Sequence, residues 1–225
     1  MTFAIVGRCA ESGMLGLAIT TSSIGVGSRC PWVRAGVGAV ATQNVTLPSL
    51  GPMILDELEA GVSAAAALDA VMAGRENADY RQLAVVDSRG EVAHFTGAKT
   101  LGTNAVATGD GCVAAGNLLK DPGLPAAMVR DFEAGAGRHL AERLLHALEA
   151  GLAAGGEEGP VRSAALLVAD RQPWPLVDLR VDWTEGNPLA ELRKLWRAYE
   201  PQMADYVTRA LDPAQAPAYG VPGDE

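Results

Sequence analysis

The sequence predicts an α+β fold with two stacked sheets between helical layers, and three observations lead there. Hairpins dominate, in the order strands, two helices, strands, two helices, strands, one helix, which is not the strict alternation of a doubly wound sheet. Several strands are apolar on both faces, so their sheets need cover on both sides. The chain has 225 residues, 48% of them hydrophobic and 20% charged, enough for one sizeable core. A single domain is expected over residues 1–212, followed by a flexible tail at 213–225.

The elements follow in order. Phe3, Ile5 and Cys9 share one parity and Ala4 and Val6 the other, giving a first strand apolar on both faces. Glu11-Ser12-Gly13 turns the chain into a second strand, Met14 to Thr21, which closes a hairpin. Gly25, Gly27 and Pro31 mark a loop, and Val37 to Gln43 is a third strand. A helix from Gly51 to Ala60 stops at Gly61, and a second is capped by Ser63 and stops at Gly74. Gln82 to Asp87 and Glu91 to Phe95 form a hairpin around Ser88-Arg89-Gly90. Two short strands fall within Asn104 to Ala115, and helices within Leu124 to Glu133 and Arg138 to Leu152. Gly155 to Gly159 reads as an exposed loop, followed by strands at Ser163 to Val168 and Leu176 to Asp182. In the latter, Asp178, Arg180 and Asp182 share one face, which calls for solvent, a partner or a cleft. Asn187 caps a last helix with Pro188 at its first position, and Pro201 breaks it.

Charge and composition exclude several functions. A net charge of -9 argues against a general nucleic-acid binder. The charge-free span from Ala35 to Leu55 is long enough to cross a bilayer, but Gln43, Asn44, Pro48 and Pro52 fit a strand, a turn and a helix start better. No membrane segment and no signal peptide are read, and a cytoplasmic location is expected. Cys9, Cys30 and Cys112 are too few and too scattered for a disulfide framework or a zinc site. His94, His139 and His146 fit no common ligand or triad spacing, so neither a metal nor an organic cofactor is expected. Gly109 to Ala114 matches GxGxxA, but no amphipathic helix follows, so it reads as a tight turn.

Thr2 is the most informative residue. Removal of Met1 requires a small second residue, and Thr2 would then carry a hydroxyl and a free α-amine on neighbouring carbons. With a pKa of about 7.7–8.0, the amine is a usable base near neutrality. It would replace the histidine that a serine-type machine needs.

The opening TFAIVGR, then LGLAITTSS, then CPWVRAGVGAVATQN with LPSLGP, resembles the domain-of-unknown-function family numbered 1028. YRQLAVVD, FTG, AAGNLL, RSAALLV and DLRVDW with PLAELRKLW extend the resemblance from Thr2 to about Tyr199. That family resembles the N-terminal-nucleophile (Ntn) hydrolases, which implies a four-layer αββα sandwich with Thr2 as nucleophile. Arg34 is the candidate for the cation that superfamily members commonly keep near the nucleophile, to lower the amine's pKa and steady an oxyanion. Asn117 could donate to the oxyanion. Ser22, Ser23, Thr42, Gln43 and Asn44 end two strands and offer polar groups for substrate, and Ser163 could orient the amine. No aspartate stands clearly where many members keep one to help the base.

The expected function is therefore an N-terminal-threonine amidohydrolase acting on a small amide or peptide-like substrate through an acyl-enzyme. The alternative is a non-catalytic binding or assembly protein on the same scaffold. A weaker third reading is a transferase using Ser22, Ser23 or Cys30. Broadly apolar sheet and helix surfaces suggest a homo-oligomer.

Overall fold

The computed structural model describes residues 1–223. Among them lie ten strands and six α-helices arranged as two antiparallel sheets and helices. The first sheet holds six strands: β1 (Thr2–Arg8), β2 (Leu15–Thr21), β7 (Ala105–Gly109), β8 (Cys112–Asn117), β9 (Ser163–Ala169) and β10 (Val177–Val181), in the order β10-β9-β2-β1-β8-β7. The second holds β3 (Pro31–Arg34), β4 (Gly38–Asn44), β5 (Arg81–Asp87) and β6 (Val92–Thr96), in chain order. The helices are α1 (Leu50–Glu59), α2 (Ala64–Met72), α3 (Leu124–Ala134), α4 (Leu140–Ala153), α5 (Pro188–Tyr199) and α6 (Met203–Leu211). Among the described residues no helix is long and apolar enough to cross a membrane.

Alternation decides what each face packs against. Phe3 and Ile5 of β1 join a core with Phe132 of α3, Leu144 and Leu148 of α4, and Leu192 and Trp196 of α5. The intervening Ala4 and Val6 point the other way, into a core shared with Ala39, Ala41, Ala84 and Val86 of the second sheet. That sheet's opposite face, through Val40, Leu83 and Val85, packs on Ile54 and Leu55 of α1 and Leu68 of α2. Between the sheets the alanines of the second sheet, with Val86, meet Leu15, Leu17 and Ile19 of β2. β1, β2 and β9 are buried on both faces, which adds to the apolar gain of the fold.

Four readings of the sequence need correction. Pro31 opens a short strand, β3, at the edge of its sheet, where proline's missing N–H is tolerated. Pro201 ends α5 in a single 3-10 turn, but the chain then continues into α6. Gly156 and Glu157 are buried, so the 155–159 segment is not an exposed loop. Within the expected tail, residues 217–219 lie against α6: Arg209 donates to the Pro217 carbonyl at 3.0 Å and stacks 3.9 Å from the Tyr219 ring. Asp224 and Glu225 lie outside the described residues. As for β10, it is an edge strand, and Asp178 and Arg180 pair with each other at 2.7 Å.

α4 and α5 are tied by charge. Arg193 donates to Glu142 and Glu149, and the Trp196 indole N–H donates to Glu142 at 2.6 Å. Burial would raise the Glu142 carboxyl, but the hydrogen bond from Arg193 and its charge hold it below the usual range.

Candidate functional site

Strand register gathers polar residues at one end of the sheets. Thr2 is opposite Thr21 on one side and Asn117 on the other, and Thr21 is opposite Ser163. All four share the parity of Ala4 and Val6, so they form a row, Ser163-Thr21-Thr2-Asn117, facing the second sheet. All four are buried. Across the gap the second sheet answers with Gln43 and Gln82, also register partners and also buried. The link is direct: Asn117 Nδ2 and Gln43 Nε2 both donate to Gln82 Oε1, at 3.1 and 2.8 Å, and Gln82 Nε2 donates to the Gly116 carbonyl at 3.1 Å. Gln43 Oε1 and Asn117 Oδ1 are left with no protein partner.

At the head of β1 the Thr2 hydroxyl donates to the Met1 carbonyl at 2.6 Å and lies 3.1 Å from the Thr21 hydroxyl. The Thr21 hydroxyl donates to the same carbonyl. One acyl oxygen therefore receives two hydroxyls. The Met1 side chain runs over Gly159, its Cε 2.9 Å from where a Cβ would stand there. Beside it is Glu157, only 1% exposed, with no hydrogen-bond partner of ordinary geometry for either carboxylate oxygen. Glu157 is held there by bridge pairing with Leu119, two residues beyond Asn117, and by the Glu158 N–H donating to the Leu118 carbonyl. Burial pushes its carboxyl up to about 8, against the opposing pull of the Met1 ammonium and the Ser22 backbone.

The sequence candidates divide. Thr2, Asn117, Gln43 and Ser163 come together. Ser163 is already committed, since its hydroxyl donates to the Ser23 carbonyl at 2.6 Å and accepts from the Val26 N–H. It braces the loop that carries Ser22 and Ser23 rather than facing an amine. One of the two Nδ2 hydrogens of Asn117 is taken by Gln82, which ties this side chain to the second sheet. Thr42 has the parity of Val40, on the sheet face toward α1 and α2, and its hydroxyl bonds the Arg29 and Cys30 carbonyls. Asn44 caps the end of β4 in a left-handed conformation (φ 69°) and bonds the Tyr80 carbonyl.

Arg34 is at the wrong end. It pairs with Gly38, and Gly38 with Asp87, so β3 carries it to the end of the sheets away from Thr2. There it donates to Asp56 at 2.8 Å and Glu59 at 2.6 Å, and these carboxylates hold its pKa above the ordinary value. A cavity of about 470 Å³ opens beside it, between Arg34, Glu59, Arg171, Gln172 and Trp174. No serine, threonine, cysteine, lysine or histidine lines that cavity, so it has no hydroxyl, thiol or amine nucleophile and no histidine base. Cys30 is no better as a nucleophile, because burial pushes its thiol up to about 11. Among the described residues no group of three or more His, Cys, Asp or Glu could hold a metal ion.

Thr21, Gln82 and Glu157 are the site residues that sequence reasoning missed. A signal existed for Thr21, since a hairpin turning at Glu11-Ser12-Gly13 sets it opposite Thr2. None existed for the other two.

Residues 2–192 match the model of a family of unknown function, DUF1028. The solved structure of protein SPO2555 from Silicibacter pomeroyi, of the same family, superposes with a TM-score of 0.84 at 31% identity, covering 91% of this chain and 89% of that one. Anbu (ancestral beta-subunit) from Yersinia bercovieri gives a TM-score of 0.40 at 12% identity, covering 97% of this chain and 100% of that one. No curated protein matches the chain.

Proposed function

The chain belongs to the family of unknown function DUF1028, and from that premise we propose that it is an N-terminal-threonine amidohydrolase with an Ntn-type four-layer αββα sandwich. The order helices, second sheet, first sheet, helices supports the layering, since each of the three cores joins one pair of neighbours. The observation that carries the activity is the Thr2 hydroxyl, seated in a buried polar row against an acyl oxygen that Thr21 also bonds. Once Met1 is removed, the Thr2 amide becomes an amine next to that hydroxyl.

The chemistry is then acyl transfer. The amine takes the hydroxyl proton, and Thr2 Oγ1 forms an ester with the substrate's acyl carbon. The amine passes the proton to the leaving amine as the amide C–N bond breaks. Water, deprotonated by the same amine, then hydrolyses the ester. In this reading Thr21, whose hydroxyl bonds the Met1 carbonyl, steadies the developing oxyanion, in place of the Arg34 expected there. Exposed Ile24, Val45 and Leu101 sit on loops at this end and form an apolar rim for a small amide or peptide-like substrate. A cytoplasmic homo-oligomer completes the proposal.

The test begins with the intact mass of native protein, expected to lack Met1. Thr2→Ser should retain partial turnover, and Thr2→Ala should fold but lose it. An epoxyketone, which closes a ring with hydroxyl and amine together, should label Thr2 alone. Retention of Met1, or wild-type turnover by Thr2→Ala, removes the hydrolase and leaves a binding or assembly protein.

A further inference from the structure

The end of β1 opposite Thr2 carries a second cluster of functional groups, about 20 Å away at the usual rise per strand residue. There the turns between β1 and β2, β5 and β6, and β7 and β8 meet the loop from α3 to α4 around a cavity of about 150 Å³. Arg8, Arg89 and Arg143 all line it, in a chain whose net charge is -9.

Only one of these cations is answered by a carboxylate. Arg89 pairs with Asp87 at 2.9 Å and with Glu91 at 3.5 Å. Arg143 is buried, 8% exposed, and its Nε and Nη2 donate to the Phe132 carbonyl at 3.2 and 3.1 Å. A neutral carbonyl satisfies those N–H groups but leaves the charge without a counter-ion. Arg143 also stands near the N-terminus of α4, where the helix dipole disfavours a cation. Arg8 is less committed still. Among the described residues its guanidinium makes no hydrogen bond and no ion pair, and its Nε is buried. Glu11 and Asp110 line the same cavity, but both are exposed, and neither pairs with an arginine.

We propose that this cavity binds a small oxyanion, a phosphate, sulfate or carboxylate group, held between Arg8 and the uncommitted Nη1 of Arg143. The planar guanidinium fork matches the paired oxygens of such a group, and the anion supplies the counter-charge that both arginines lack. At roughly 30 Å³ per water the cavity equals about five waters, which suits one such group rather than a nucleotide. The site is independent of the Thr2 chemistry. Cys9 reports on it from inside, because it lines the same cavity and is partly exposed, whereas Cys30 and Cys112 are buried. Burial would raise the Cys9 thiol, but hydrogen bonds from the Ser12 side chain and from the Ser12 and Glu11 backbone, with the charge of Arg143, bring it below the ordinary thiol value.

The experiment titrates inorganic phosphate, sulfate and acetate into wild type and Arg8→Gln by calorimetry, with sodium chloride holding the ionic strength constant. Wild type should bind a single anion, and the ranking tells a tetrahedral group from a planar carboxylate. Arg8→Gln breaks no contact within the protein, so it should melt with wild type in chloride, yet bind the preferred anion roughly tenfold or more weakly, the usual worth of a hydrogen bond to a charged group. Iodoacetamide labelling, read at the Cys9 peptide by mass spectrometry, locates the anion. Saturating anion should slow it several-fold, since the bound charge cancels the arginine field that favours the thiolate. No binding of any of the three by wild type at millimolar concentration overturns the proposal, and so does a Cys9 rate that saturating anion leaves unchanged. Neither result needs a variant. Binding of equal strength in Arg8→Gln overturns it as well.

Discussion

Replacing Glu157 with glutamine should change how stability depends on pH, with a sign fixed by burial. The carboxyl rises from an ordinary 4.5 to about 8 in the folded protein, chiefly because burial penalises the anion. Below about pH 4.5 the group is protonated in both states and costs nothing. Between there and about pH 8 the unfolded chain has lost the proton while the folded protein keeps it, so stability falls as pH rises. At about 1.4 kcal/mol per pH unit, the full penalty above pH 8 is on the order of 3–5 kcal/mol. Glutamine imitates the protonated acid at every pH. Glu157→Gln should therefore match wild type near pH 4.5 and grow steadily more stable than it toward pH 9. The measurement is urea unfolding of both proteins at several pH values. Taking the difference cancels every other titrating group. A difference that is flat with pH, or that favours wild type at high pH, refutes the burial argument.

Three further predictions are independent of that one. Gly51 of α1 has no room for a methyl group, since a Cβ would lie 2.1 Å from Trp32 Cδ1; Gly51→Ala should cost about 1–3 kcal/mol in chemical denaturation. The cost should shrink when Trp32 is also alanine, and a neutral or stabilising single variant contradicts the packing. Arg34→Ala should leave amide turnover within about twofold of wild type and cost no more than about 1 kcal/mol, because its two ion pairs are surface-exposed; a large loss of kcat would return Arg34 to the site. A chain ending at Asp212 loses the exposed Tyr219–Arg209 contact, worth about 0.5–1 kcal/mol. Its melting temperature should fall by no more than about 4 °C; a much larger drop would mean that the tail carries more of the fold than its contacts show.

What was legible in the sequence follows from which signals are local. β1, β2 and the β5–β6 hairpin announce themselves by alternation bounded by turn residues, and each is found within a residue or two of its expected place. β3 did not, because four residues that start with proline after two glycines look like loop, and only pairing with β4 makes them a strand. α6 was hidden by Pro201, which stops one helix and permits the next to begin two residues later.

The site divides along the same line. Thr2 and Thr21 belong to one hairpin, so the turn alone fixes them opposite each other. Asn117 and Ser163 join them through pairings 115 and 142 residues away in sequence, which no local pattern encodes. Gln82 enters only because two sheets stack with matching ends. Arg34 shows the same limit: its residue type suits a cation near Thr2, whereas the antiparallel course of β3 carries it to the far end, and only the β3–β4 register reveals that. Glu157 is the extreme case. Between glycines and beside another glutamate it reads as a solvated turn, the commonest fate of such a sequence. Its burial depends on one bridge to Leu119 and on a chain terminus arriving from the far end of the sequence. A charge that sequence rules assign to solvent, held dry by long-range structure, departs from local consistency in the way functional sites do, and that departure is why the pH experiment on Glu157 is the one to perform first.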